Sequence, residues 1–102
     1  MILVTGSIKL ESEEELENVR QALIGRAQRS RKDAGCIAYV FSQSLEDSTE
    51  IILTEKWESA ELLQAHLEIP DEEFGALLRS AKITAATIVS NEADEERVLM
   101  QR

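Results

Sequence analysis

Eight residues near the middle of the chain, Glu50 to Trp57, restrict the fold more than any other stretch. Ile51, Leu53, Glu55 and Trp57 alternate with Ile52, Thr54 and Lys56. A period of two means a β-strand whose two sets of side chains leave on opposite faces. The large apolar members of the first set need a covering layer, and Glu55 is carried onto that same face. Upstream, Cys36 to Gln43 alternates Ile37, Tyr39 and Phe41 against Cys36, Ala38 and Val40. The polar turn Ser44 to Thr49, with Asp47 and Ser48, joins the two runs as an antiparallel hairpin.

The rest of the chain supplies the cover. Ile2 to Leu10 reads as a first strand, where Gly6 and Ser7 mark a bulge or a close backbone approach. Ser12 to Glu15 fits a capping box, with three carboxylates at the positive end of a helix dipole. Leu16, Val19, Leu23 and Ala27 follow at helical spacing. Arg26, Arg29, Arg31 and Lys32 complement the far end of that dipole or, alternatively, offer an anion contact. Asp33-Ala34-Gly35 ends the helix, with Gly35 suited to a left-handed position. Ser59 caps a second helix whose inward face holds Leu62, Leu63, His66 and Leu67. Pro70 interrupts it, and Asp71 or Glu72 starts a short turn carrying Phe74, Leu77 and Leu78. Lys82 to Ser90 alternates as a fourth strand. The order βαββαβ, with a short extra helix before the last strand, defines an α+β, ferredoxin-like domain over residues 1–90, an antiparallel sheet with its helices on one face. Residues 91–102 form a C-terminal tail that either frays or adds to a dimer contact. Both faces of the second and fourth strands read as apolar, so a second copy packed sheet to sheet, a homodimer, is the expected cover.

Charge and residue counts remove several classes of function. A net charge of −9 argues against nonspecific binding to nucleic acid or an anionic membrane surface. A single cysteine forms no internal disulfide, which fits a reducing, cytoplasmic setting, and neither a secretory leader nor 18 consecutive apolar residues is visible. One His and one Cys cannot furnish a Cys/His zinc site or a two-His iron site within one chain. Gly6, Gly25, Gly35 and Gly75 make neither a phosphate loop nor a dinucleotide fingerprint, and there is no Gly-x-Ser-x-Gly elbow. The expectation is therefore no metal and no cofactor.

What chemistry remains centres on His66, the one side chain whose ordinary titration lies near neutrality. It follows Leu62 by four residues and Leu63 by three, so it faces the sheet. Glu55 and Trp57 point toward the helices, and Tyr39 stands on the neighbouring strand. A Glu55 carboxylate beside the imidazole would keep His66 oriented and basic, as a general base requires. The competing assignment makes Glu55 a strand-end partner of Lys56 or Arg20, Trp57 plain core, and His66 a partly exposed helix residue. Cys36 reads as a small strand residue rather than a nucleophile.

Gly35, Tyr39, Glu55-Lys56-Trp57 and Ala65-His66-Leu67, in this order, resemble the antibiotic biosynthesis monooxygenase family over about residues 2–90. That family belongs to the dimeric α+β barrel proteins, so the resemblance implies that architecture and a homodimer. It also implies a cofactor-independent monooxygenase of a small aromatic, quinol or polyketide-like substrate. His66 and Glu55 would be catalytic, and Trp57, Tyr39 and Phe74 would bind substrate. A proton-transfer isomerase and a non-catalytic dimeric small-ligand module share the fold and stand as alternatives. The chain departs from the family pattern after Pro70, where Asp71-Glu72-Glu73-Phe74 replaces a His-containing run. Its first strand offers Thr5 and Ser7 where the heme-degrading branch carries Asn, which points away from heme degradation.

Overall fold

The computed structural model describes residues 1–102. Its elements are β1 (Ile2–Leu10), α1 (Glu13–Ser30), β2 (Cys36–Gln43), β3 (Glu50–Trp57), α2 (Ala60–Leu67), α3 (Glu72–Ser80) and β4 (Ile83–Glu92). The four strands form one antiparallel sheet in the order β2-β3-β1-β4. This is the ferredoxin-like arrangement that the element order predicts. The segment after Pro70 is the short extra helix before the last strand, nine residues long. Asp71 caps it by accepting the Phe74 amide at 3.0 Å, which satisfies an N–H that has no partner inside the helix.

Ser12 accepts the Glu15 amide at 3.1 Å and starts α1. Glu15 does not complete the reciprocal half of the box. Its carboxylate instead accepts the Lys82 amide at 3.0 Å, joining the start of α1 to the approach to β4. Ser59 caps α2 through the Leu62 amide. Gly35 has φ +83, and a Cβ there would lie 2.5 Å from the Leu62 side chain. Both the left-handed backbone and the closeness of α2 thus require glycine. Gly6 lies in regular register, with no bulge, and the side chain of Ile88 crosses the space a Cβ would fill at 2.7 Å. Irregularities fall instead between Cys36 and Ala38 and between Lys9 and Leu10.

Register assigns the faces, because residues paired across antiparallel strands point the same way. Tyr39, Glu55 and Val4 lie in one cross-strand row beneath the helices, as do Cys36, Trp57 and Ile2. The open face carries the row Val40, Thr54, Thr5 and Val89, and next to it Ser42, Ile52, Ser7 and Thr87. That face is mixed rather than uniformly apolar, since β1 contributes hydroxyls between the valines. Leu67, expected to face inward, is 60% exposed; in the last turn of α2 the buried position is taken by His66.

Candidate functional site

The buried side chains divide into two clusters. One is wholly aliphatic: Ile8, Leu10, Leu16, Val19, Leu23, Ile51 and Leu77. The other, at the opposite end of the sheet, joins Ile2, Val4, Ala27 and Leu53 to Tyr39 and Trp57. All four buried polar residues, Arg26, Ser30, Glu55 and His66, lie toward this second end, with no equivalent in the first.

Trp57 is fully buried, His66 is 2% exposed and Glu55 6%. The indole N–H of Trp57 donates to Glu55 Oε1 at 2.8 Å. The His66 ring lies over the indole, with centroids 4.5 Å apart and planes inclined by 32°, and the Tyr39 ring meets it edge-on at 5.8 Å. Tyr39, Glu55, Trp57 and His66 are therefore brought together, as their spacing predicts. The hydrogen bonds are distributed differently. His66 does not bond Glu55: its Nδ1 is 2.7 Å from Asp33 Oδ2 and its Nε2 is 3.1 Å from Arg26 Nη2. Lys56 pairs with Glu96 and Arg20 with Glu17, so neither cation serves Glu55.

These contacts fix the tautomer. A guanidinium only donates, so Nε2 must present its lone pair to Arg26, and Nδ1 carries the hydrogen given to the Asp33 carboxylate. In this arrangement the Nε2 lone pair is covered by Arg26. Arg26 in turn bonds Asp71 at 3.1 Å and lies 4.6 Å over the Phe74 ring. Phe74 thus touches the site through Arg26 and through Phe41, 6.4 Å away between ring centroids, rather than by facing His66.

The environment perturbs several of these groups. Burial pushes the Glu55 carboxyl above its ordinary range, and the Trp57 N–H, His66 and Arg26 partly offset it. Burial and then the Glu55 charge push the Tyr39 phenol up, against the pull of Arg26. Burial likewise raises the Cys36 thiol, followed by the charges of Glu55 and Asp33, which leaves it a poor nucleophile.

Two clefts lie along α1. One, about 310 Å³, is lined by Arg26, Arg29, Ser30 and Asp33 on one side and by Ile69 to Glu73 on the other. The second, about 180 Å³, is an apolar groove between α1 and β2, with Leu16, Leu23, Val40 and Phe41 in its wall. Neither includes Glu55, Trp57 or His66; the first stops at the two residues that hold the imidazole. No group of three His, Cys, Asp or Glu side chains converges as a metal site would need, and no helix is long and apolar enough to cross a membrane.

Arg26, Asp33 and Asp71 are the site residues that sequence spacing alone passes over. Arg26 follows Leu23 by three and so lies on the inward stripe of α1, a place where an arginine signals a buried partner. Asp33 looks like part of a helix terminator and Asp71 like a cap, and nothing local distinguishes either from that role.

A model of the antibiotic biosynthesis monooxygenase family matches residues 1–81, and the chain belongs to that family. Among solved structures, a candidate antibiotic biosynthesis monooxygenase from Deinococcus radiodurans is similar at 28% identity and TM-score 0.88, covering 99% of this chain and 100% of that one. One from Nitrosomonas europaea shares the fold at 16% identity and TM-score 0.80, over 91% and 98% of the two chains. A conserved protein from Methanosarcina mazei does so at 18% identity and TM-score 0.79, over 92% and 94%. Comparison with curated proteins found no match.

Proposed function

We propose that this chain is a cofactor-independent monooxygenase of small aromatic, quinol or polyketide-like substrates, acting in the cytoplasm as a homodimer. The observation that carries the reading is the Asp33–His66 couple stacked on Trp57 in a buried end of the sheet. An imidazole whose Nδ1–H is held by a carboxylate is oriented, and its imidazolium is stabilised once Nε2 takes a proton. A quinol or anthrone-like substrate losing that proton becomes electron-rich enough to reduce O₂ directly. When a ring CH₂ becomes C=O, one oxygen atom enters the product and the other leaves as water. Trp57 and Tyr39 would exclude water from the reacting ring. Glu55 acts here on the indole and through its charge on His66, not as the imidazole's hydrogen-bond partner.

Oxygen uptake with a panel of quinols and anthrones tests this. His66→Ala should lower the rate by about 10²- to 10⁴-fold while the far-ultraviolet circular dichroism stays unchanged. Equal rates in the two proteins would remove His66 from the chemistry. A second reading, a non-catalytic dimeric module that binds a small ligand, is favoured by the covered Nε2 and by clefts that end at Arg26. Saturable ligand binding with no oxygen uptake across the panel would select it.

A further inference from the structure

The covered lone pair of His66 and the cleft beside it belong to one device. Arg26 is 9% exposed and stands between the imidazole and the 310 Å³ cleft, whose wall it forms. Its Nη2 covers His66 Nε2 and its Nη1 bonds Asp71, yet its buried Nε donates to nothing. A buried N–H without an acceptor is uncommon and marks a place where an oxygen atom is welcome. Asp71 is shared, since Arg29 also bonds it twice at 2.9 Å, so Arg26 does not hold that carboxylate alone. The guanidinium therefore both covers the His66 lone pair and lines the cleft, and one of its donors is unspent.

We propose that Arg26 is a positioning residue that caps Nε2 in the resting protein and is drawn aside by an uncharged, hydroxyl-bearing substrate entering this cleft. The incoming oxygen accepts from the guanidinium, Nε2 is uncovered, and the hydroxyl proton passes to it. The oxyanion so formed then lies against Arg26, which supplies the countercharge. This rests on the reading of His66 as the base.

The cleft also selects for charge. Arg26 and Arg29 face Asp33, Asp71, Glu72 and Glu73, two cations against four carboxylates. A substrate carrying its own carboxylate meets net repulsion, whereas a neutral quinol acquires charge only after it has arrived beside Arg26. The titratable and charged groups that bear on the His66 ring from the surrounding elements are Arg26 and Asp33 beside its nitrogens, the Glu55 carboxyl through its charge, and Tyr39 by its ring edge.

His66 is the only histidine and Trp57 the only tryptophan, so the site reports on itself. Under anaerobic conditions, wild type is titrated with 1,4-dihydroxynaphthalene and with its 2-carboxylate. The readouts are the Nε2 ¹⁵N resonance and Trp57 fluorescence. The neutral quinol should move the Nε2 resonance to lower frequency as that nitrogen gains a proton, and the carboxylate should bind about tenfold or more weakly. In Arg26→Met the free protein should already show Nε2 at higher frequency than wild type, as an uncovered lone pair. Arg26→Lys should fall between. An Nε2 resonance the same in wild type and Arg26→Met overturns the cap, and equal or tighter binding of the carboxylate overturns the charge selection. Should Arg26→Met not fold, the wild-type titration decides alone: a quinol that binds without moving Nε2 overturns the proposal. None of these readouts needs turnover, so failure of the cap is separable from His66→Ala retaining full oxygen uptake, which would instead remove the base.

Discussion

The two ends of the sheet are built from the same four strands and the same long helix, but to different specifications. At the end holding Ile8, Leu10, Leu16 and Ile51, every buried side chain is apolar, and each contributes through area removed from water. At the end holding Tyr39 and Trp57, a carboxylate, an imidazole and a guanidinium are buried as well. Burying such groups costs free energy unless each finds a partner, and there each does, apart from Arg26 Nε. The aliphatic end needs only volume. The polar end needs a particular set of contacts, and perturbed groups of this kind cluster at functional sites.

That contrast can be broken by mutation. Trp57→Ala should have the largest effect, about 3–5 kcal/mol of stability by chemical denaturation. It removes a fully buried indole, the donor to Glu55 and the platform beneath His66, so quinol oxidation should be lost with it. Leu10→Ala, in the aliphatic end, should cost about 2–5 kcal/mol yet leave the rate per folded molecule unchanged. A matching loss of rate would show that the two ends are not separable.

Glu55 gives the smallest effect and the sharpest distinction. Its raised carboxyl keeps a proton to higher pH in the folded chain than in the unfolded one. The associated stability is complete in acid and is lost as pH rises above 4.5 through the folded midpoint. Wild type should therefore lose stability relative to Glu55→Gln between pH 4.5 and neutrality in thermal unfolding. Asp71 behaves oppositely. Against burial, the Phe74 amide, Arg29 and Arg26 hold its carboxyl low, so its contribution is lost only as pH falls below 3.8. The two windows do not overlap.

The element order and the inward faces of α1 and β3 could be read from the sequence because they are periodic, and period is a local property. Gly35 was legible for the same reason, as a helix terminator with a left-handed backbone. The gathering of Tyr39, Glu55, Trp57 and His66 followed from two periods and one shared face. What could not be read was which partner each polar group would choose. His66 bonds residues 33 and 40 positions earlier in the chain, and those separations carry no local pattern. The short helix after Pro70 is legible too, since Asp71 supplies a cap and Phe74, Leu77 and Leu78 follow at helical spacing. The open face sets the valines of β2 and β4 beside hydroxyls of β1 and β3, a mixture that strand pairing decides and no single strand reveals.

The central claim is that a buried imidazole takes the proton of a bound hydroxyl. Anaerobic difference spectroscopy of 1,4-dihydroxynaphthalene at neutral pH reads that step before oxygen takes part. Wild type should generate the quinolate absorption on binding and His66→Gln should not. Identical spectra from the two proteins, with the quinol bound in both, would contradict the account.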